Sequence, residues 1–257
     1  MRYYLIAGER SGDLHGSNLI KALRKVDAQA EFRGYGGDYM KEAGMDLIVH
    51  YRELAFMGVV QVIANLRTIT KRLNQCKIDI VEYKPDVVIL IDYADFNLRV
   101  AQHARQHGIK TFYYISPKVW AWRQKRALKL KANVDRMFCI LPFEKDFYRK
   151  FDWDVDYVGN PVLDAVKGFT PNPEFRKKNK LKKEDKLIGL LPGSRSLELK
   201  RIIPLMSKVV ELNPDETFIV AGVTSLPREL YSEIEAYKNV KIILTRTYDL
   251  LSNSHAA

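Results

Sequence analysis

The stretch KPDVVILIDYADFN, residues 84–97, leaves a prolyl turn, runs through five uninterrupted apolar residues and reaches Asp92. A strand with one wet face alternates polar and apolar residues. A short run rich in Val and Ile with no polar face is a strand covered on both sides, as in parallel sheets. FNLRVAQHARQHG (96–108) then spaces its apolar residues at helical intervals and stops at Gly108, a common helix terminator. Strand then helix is the repeating unit of a parallel α/β sheet, and the pattern recurs on either side. YYLIAG (3–8), EFRGYGG (31–37), TFYYIS (111–116) and RMFCIL (136–141) read as strands. LHGSNLIKALRKV (14–26) and LRTITKRLNQCKIDIVEY (66–83) read as helices. The expectation is an α/β protein whose residues 1–166 form a Rossmann-like parallel-sheet domain.

Residues 167–186 lose this periodicity and gather Pro, Asn and Lys, which predicts a basic linker. The α/β pattern restarts at LIGLLPGSR (187–195), LELKRIIPLMSKVVEL (197–212), TFIVAG (217–222) and VKIILT (240–245). Residues 187–257 therefore read as a second parallel-sheet domain, too short to be complete on the scale of the first. No apolar run reaches the ~20 residues of a membrane span, and the N-terminus lacks a signal-peptide pattern. Cys76 and Cys139 form neither a disulfide framework nor a metal spacing. The expected setting is cytoplasmic. The net charge of +11 is concentrated in 118–131 and 176–186. With no helix-turn-helix or aromatic RNA-binding signature, nucleic acid is not an expected partner, and an anionic membrane face suits the charge better.

Several segments carry groups suited to chemistry. Gly8-Glu9-Arg10-Ser11-Gly12-Asp13 follows the first strand and opens a helix, where backbone can approach a ligand. It is neither GxGxxG nor a P-loop; Glu9, Ser11, Gly12 and Asp13 are its candidate binding residues. Asp92 ends a buried strand, where partial desolvation would favour a general base; Asp95 is read as the cap of the next helix. Gly193, Ser194 and Arg195 sit in a strand–turn–helix arrangement suited to a diphosphate, with no metal required. ELAFMGVVQVIANL (53–66) concentrates Phe56, Met57, Val59, Val60, Val62 and Ile63, either as core or as an acyl-chain and membrane patch. Lys118, Arg123, Lys125 and Arg126 are the candidate basic membrane face. Asp154 and Asp156 stand in a D-x-D pattern that reads better as a strand, and the His103/His107 pair as surface.

AGERSGDLHGS (7–17), ELAFMGVV (53–60), KPDVVILIDYADFN (84–97), YYISPKVWAWRQKR (113–126), ILPFEKDFY (140–148), YVGNPVLD (157–164) and LLPGSRSLE (190–198) together resemble the lipid-A-disaccharide synthase family. They follow the family's order over nearly the whole chain; Arg10 and Ala94 depart from its usual residues. The resemblance implies a GT-B glycosyltransferase without a cofactor. It would join a UDP-diacylglucosamine donor to a diacylglucosamine 1-phosphate acceptor by inverting displacement, releasing UDP. It also implies that Asp92 is the base, that Arg195 meets the donor diphosphate, and that the 55–63 patch meets acyl chains at the inner membrane surface. Relatives continue past Ser254-His255-Ala256-Ala257 into segments that complete the donor site and a homodimer. This length of chain is therefore expected to bind lipid and transfer sugar poorly. The alternatives are a UDP-sugar epimerase of the same fold and a non-catalytic module that binds anionic lipid.

Overall fold

The computed structural model describes residues 1–54, 65–182, 184–224 and 226–257. They form two compact units, Met1–Leu163 and Asp164–Ala257. In the first unit the strands are β1 (Arg2–Ala7), β2 (Glu31–Gly36), β3 (Asp46–His50), β4 (Val87–Ile91), β5 (Lys110–Tyr114), β6 (Arg136–Cys139) and β7 (Asp156–Tyr157). All the pairings are parallel, in the order β3-β2-β1-β4-β5-β6-β7. The main helices are α1 (Arg10–Val26), α2 (Asp38–Glu42), α3 (Leu66–Tyr83), α4 (Ala94–Gln106), α5 (Arg126–Asn133) and α6 (Phe143–Arg149).

The uninterrupted apolar runs of β1 and β4 have the cause inferred from sequence. Successive side chains of a strand point to opposite faces. Leu5, Val87, Ile89 and Ile91 therefore enter one core with Ile20 of α1 and Met40 of α2. Tyr4, Ile6, Val88 and Leu90 enter another with Leu73 and Ile80 of α3, Val100 of α4 and Leu130 of α5. A polar residue at any of these positions would face apolar side chains. One edge strand escaped the sequence reading: DLIVH (β3) opens on an exposed Asp. Of the D-x-D segment read as a strand, only Asp156 enters the sheet, with Tyr157, as the two-residue β7.

The second unit has strands β8 (Leu187–Leu190), β9 (Thr217–Gly222) and β10 (Val240–Leu244), parallel in the order β10-β9-β8. Its helices include α7 (Phe175–Lys178), α8 (Ser196–Leu212) and α9 (Thr247–Asn253). The segment expected to be a linker is built into this unit. Phe175 and Leu181 are buried with Leu187, Ile219 and Leu250, and the Asn172 amide donates to the buried Asp249 carboxylate at 2.8 Å. Two apolar anchors among many lysines carry no helical period, so composition hid them. Among the described residues no helix is long and apolar enough to cross a membrane.

Candidate functional site

In the first sheet the strand order reverses between β1 and β4. Ligands of open α/β sheets sit outside the carboxyl ends of the strands at such a reversal, because the loops there diverge to opposite faces. Ala7 is paired with Ile91, so the next residues, Gly8 and Asp92, lie side by side at that point.

The backbone there is unusual. Asp92 and Tyr93 both have positive φ, 45° and 46°, a region that costs a non-glycine residue roughly 1–2 kcal/mol. Several contacts hold the turn. Asn97 Nδ2 donates to the Asp92 carbonyl at 2.8 Å and to that of Ile91 at 3.3 Å. The buried Tyr113 hydroxyl donates to the same Asp92 carbonyl. Tyr93 lays its ring over Gly8 so closely that a Cβ on Gly8 would lie 2.2 Å from the ring, and its hydroxyl donates to Leu54 O at 3.1 Å. Gly8 is glycine because an aromatic ring occupies the place of its side chain. Ile115, at the end of β5, also has positive φ, 66°, a genuine outlier for a β-branched residue. Strain of this kind persists where the surroundings over-determine it, and it concentrates at functional edges.

Half-buried Asp92 lines a cavity of about 450 Å³ with Glu9, Leu66, Ile69, Leu73 and Phe96. Apart from a few polar groups the lining is apolar, as small-molecule sites usually are. Of the other residues singled out in the first turn, Ser11 is exposed. Gly12 brings α1 against β1, since a Cβ there would lie 3.2 Å from the Ala7 Cβ. Asp13 does something different from what its position suggested. Its side chain is buried, and its carboxylate accepts from the amides of Gly37 at 2.8 Å, Met40 at 3.0 Å and Tyr39 at 3.2 Å. It caps α2 across the sheet edge, with both carboxylate oxygens engaged. Asp95 is not the helix cap either. It lies in the first turn of α4 and pairs with Arg126 of α5 at 2.5 Å; Tyr93 holds the cap position.

Lys118, Arg123 and Lys125 are exposed beside Trp122, itself 74% exposed, with the Arg123 guanidinium 5.2 Å over its ring. Phe56, Met57, Val59, Val60, Val62 and Ile63 lie outside the described residues. Asp154 pairs with Lys145 at 3.6 Å and Asp156 with Arg136 at 2.8 Å, so cations engage both D-x-D carboxylates. Behind the edge, buried Glu144 accepts from Ser116 Oγ at 2.7 Å and from the Leu141 amide at 2.9 Å, bracing the turn after Ile115.

The second unit repeats the geometry. His255 N donates to Leu187 O and Gly189 N to Ala256 O, both at 2.7 Å, giving a parallel bridge on the free side of β8. Strand order thus reverses at β8, and the turn at its carboxyl end is Pro192-Gly193-Ser194-Arg195. Glu198, which sequence reading passed over, fills that turn. Its carboxylate accepts from the Ser194 amide at 3.0 Å and from Arg195 Nη1 at 3.1 Å. These bonds, the Ser194 amide foremost, hold its pKa below the usual range. A Cβ on Gly193 (φ 103°) would lie 2.4 Å from Glu198 Oε2. The backbone amide and guanidinium assigned to a diphosphate from sequence thus already hold an anion. The Arg-x-x-Glu spacing at a helix start was the available signal.

Two parallel α/β units, each with a strand-order reversal and a helix-opening turn beside it, define the GT-B-like architecture. Solved structures with this fold include UDP-GlcNAc 2-epimerase from Neisseria meningitidis bound to UDP-GlcNAc. It has a TM-score of 0.70 at 14% identity over 99% of this chain and 76% of that one. The glycotransferase of kitacinnamycin has a TM-score of 0.52 at 13% identity over 94% and 70%. At such identities the likeness is one of fold alone. The chain belongs to the lipid-A-disaccharide synthetase family, whose sequence model matches residues 3–257. It is 38% identical over 260 residues to lipid-A-disaccharide synthase of Syntrophus aciditrophicus, covering 98% of this chain and 68% of that protein. It is 37% identical over 256 residues to that of Geobacter sulfurreducens, covering 97% and 67%. It spans about two thirds of these relatives' length. Membership places it among the hexosyltransferases of lipid A biosynthesis.

Proposed function

We propose that the chain carries the base and the diphosphate-binding group for joining a UDP-diacylglucosamine donor to a diacylglucosamine 1-phosphate acceptor. The observation that carries this reading is Asp92, a carboxylate at the β1/β4 reversal, on a turn fixed by Asn97, Tyr113 and the Tyr93 ring, and lining an apolar cavity. The acceptor hydroxyl gives its proton to Asp92 as its oxygen attacks the anomeric carbon. The bond from that carbon to the donor phosphate oxygen breaks, and UDP leaves with the electron pair. Attack opposite the leaving group inverts the anomeric configuration. Arg195 neutralises the charge that grows on the diphosphate, as a positioned guanidinium does in a water-poor site. In this reading Glu198 yields Arg195 and the Ser194 amide to the donor.

The exposed Trp122 with Arg123, Lys118 and Lys125 supports peripheral contact with an anionic inner membrane surface. An aromatic amphiphile and clustered cations suit the head-group region. A homodimer of the longer family form rests on the resemblance alone.

The test is Asp92→Asn, which keeps shape and removes basicity, assayed by mass-detected disaccharide formation. The assay uses this chain extended to the length of its relatives. Turnover should fall ~10²–10⁴-fold, the usual worth of a general base, with donor binding within about twofold. A variant that keeps more than half of the parent turnover removes Asp92 from the mechanism.

A further inference from the structure

A second cavity, of about 460 Å³, lies between α4 and α5. Arg99, Gln102, Arg126 and Lys129 line it, and its carboxylate is Asp95. The two cavities share Asp95 and Arg99, so they meet across the first turns of α4. The first is mostly apolar, with Glu9 and Asp92 among its few polar groups; the second is cationic.

The charges of the second cavity are unbalanced. Three cations face one carboxylate, and that carboxylate is already paired with Arg126. Among the described residues, neither Arg99 nor Lys129 has a carboxylate partner. Like charges held close repel, and a bound anion relieves that cost. The excess of two positive charges matches a phosphate monoester, which carries about −1.5 to −2 at neutral pH. An anion that occupies the groove would take the place of Asp95 at Arg126 and gain the shorter, charge-assisted bonds that guanidinium makes with phosphate.

We propose that Arg99, Arg126 and Lys129 form the seat for the phosphate of an acylated sugar phosphate, whose acyl portion enters the adjoining apolar cavity and whose hydroxyl faces Asp92. This rests on the acceptor reading given above and locates the acceptor's phosphate within it. One molecule then spans both cavities, because its phosphate, sugar and acyl chains have the polarity sequence of the surface. An anionic membrane lipid has a phosphate and acyl chains too. Its phosphate is a diester with a single charge, where the groove's excess is two and a monoester carries about −1.5 to −2, so the sugar phosphate is the committed occupant.

The experiment compares this chain with Arg99→Gln, Lys129→Gln and the double variant. Both residues are exposed, so the fold should hold, and circular dichroism checks that it does. Binding is measured in neutral detergent micelles to diacylglucosamine 1-phosphate and to the same lipid after phosphatase treatment, and separately to phosphatidylglycerol vesicles. The parent chain should favour the phosphorylated lipid at least tenfold. Each single variant should lose about tenfold in affinity for it, the usual effect of one charge-assisted contact. Affinity for the dephosphorylated lipid should be unchanged, and vesicle binding should change less than twofold. Equal parent affinity for the two sugars overturns the seat. Variants that bind the phosphorylated lipid like the parent also overturn it, as does an equal loss of vesicle binding, which would make the groove a membrane contact. A parent chain that binds neither sugar overturns the acceptor reading as well as the seat.

Discussion

Asp13→Ala removes the one acceptor that three backbone amides share, and its cost can be worked from the geometry. The carboxylate is 1% exposed and accepts from Gly37, Tyr39 and Met40 at 2.8, 3.2 and 3.0 Å. A hydrogen bond to a charged group contributes ~1.5–3 kcal/mol, so three would sum to more than ~4.5 kcal/mol. The first turn of α2 can shift and admit water, which brings the expected loss to ~3–5 kcal/mol, the range for breaking a buried charged arrangement. Asp13→Asn should cost less, ~2 kcal/mol. Its oxygen can keep Gly37 and Met40, but its –NH₂ then opposes the Tyr39 amide. Urea unfolding followed by tryptophan fluorescence reads this directly, because Trp120, Trp122 and Trp153 all lie in the first unit. The midpoint should drop with the slope unchanged. An Asp13→Ala chain within ~1 kcal/mol of the parent would refute the capping role, since even a single such bond contributes more than that. An Asp13→Asn chain of unchanged midpoint that no longer binds acylated sugar would show that the carboxylate serves a ligand.

Two further outcomes follow from the second unit and from α1. Arg195→Lys should lower turnover of the extended form ~10–100-fold, because lysine lacks the planar two-pronged contact, while chelator leaves the parent unchanged. Activity abolished by EDTA and restored by Mg²⁺ would sink the metal-free diphosphate role. His15, whose Nδ1 is buried with no hydrogen-bond partner among the described residues, has its pKa lowered by burial from 6.5. The unfolded chain therefore binds the extra proton first. The contribution of His15 to stability is complete above 6.5 and is lost as pH falls from there through the lower folded value. An NMR titration midpoint for His15 at or above 6.5 would contradict this.

What the sequence determined by itself was the layering. VVILI and YYLIA have no polar face, and only a sheet covered on both sides buries every residue of such strands; the alternate allocation of Leu5 and Ile6 to two cores is the physical result. It also placed Asp92 at the sheet's edge, because a polar residue directly after a buried strand must stand there, and Arg195 just beyond a Pro-Gly turn after β8. The edge strand β3 was not legible, since a mostly half-exposed run of five residues that opens on an exposed Asp has no covered face to mark it. Nor could the sequence separate Asp13 from Asp92, two carboxylates beside sheet-edge turns. Tertiary structure gives them different surroundings: the α2 amides, some 24 residues on, come against Asp13, while Asp92 lines a cavity beside the Tyr93 ring that covers Gly8. The basic groove is likewise a tertiary product. Arg99 and Lys129 are unremarkable on separate helices, and they become a phosphate-sized excess of charge only because β4 and β5 set α4 beside α5.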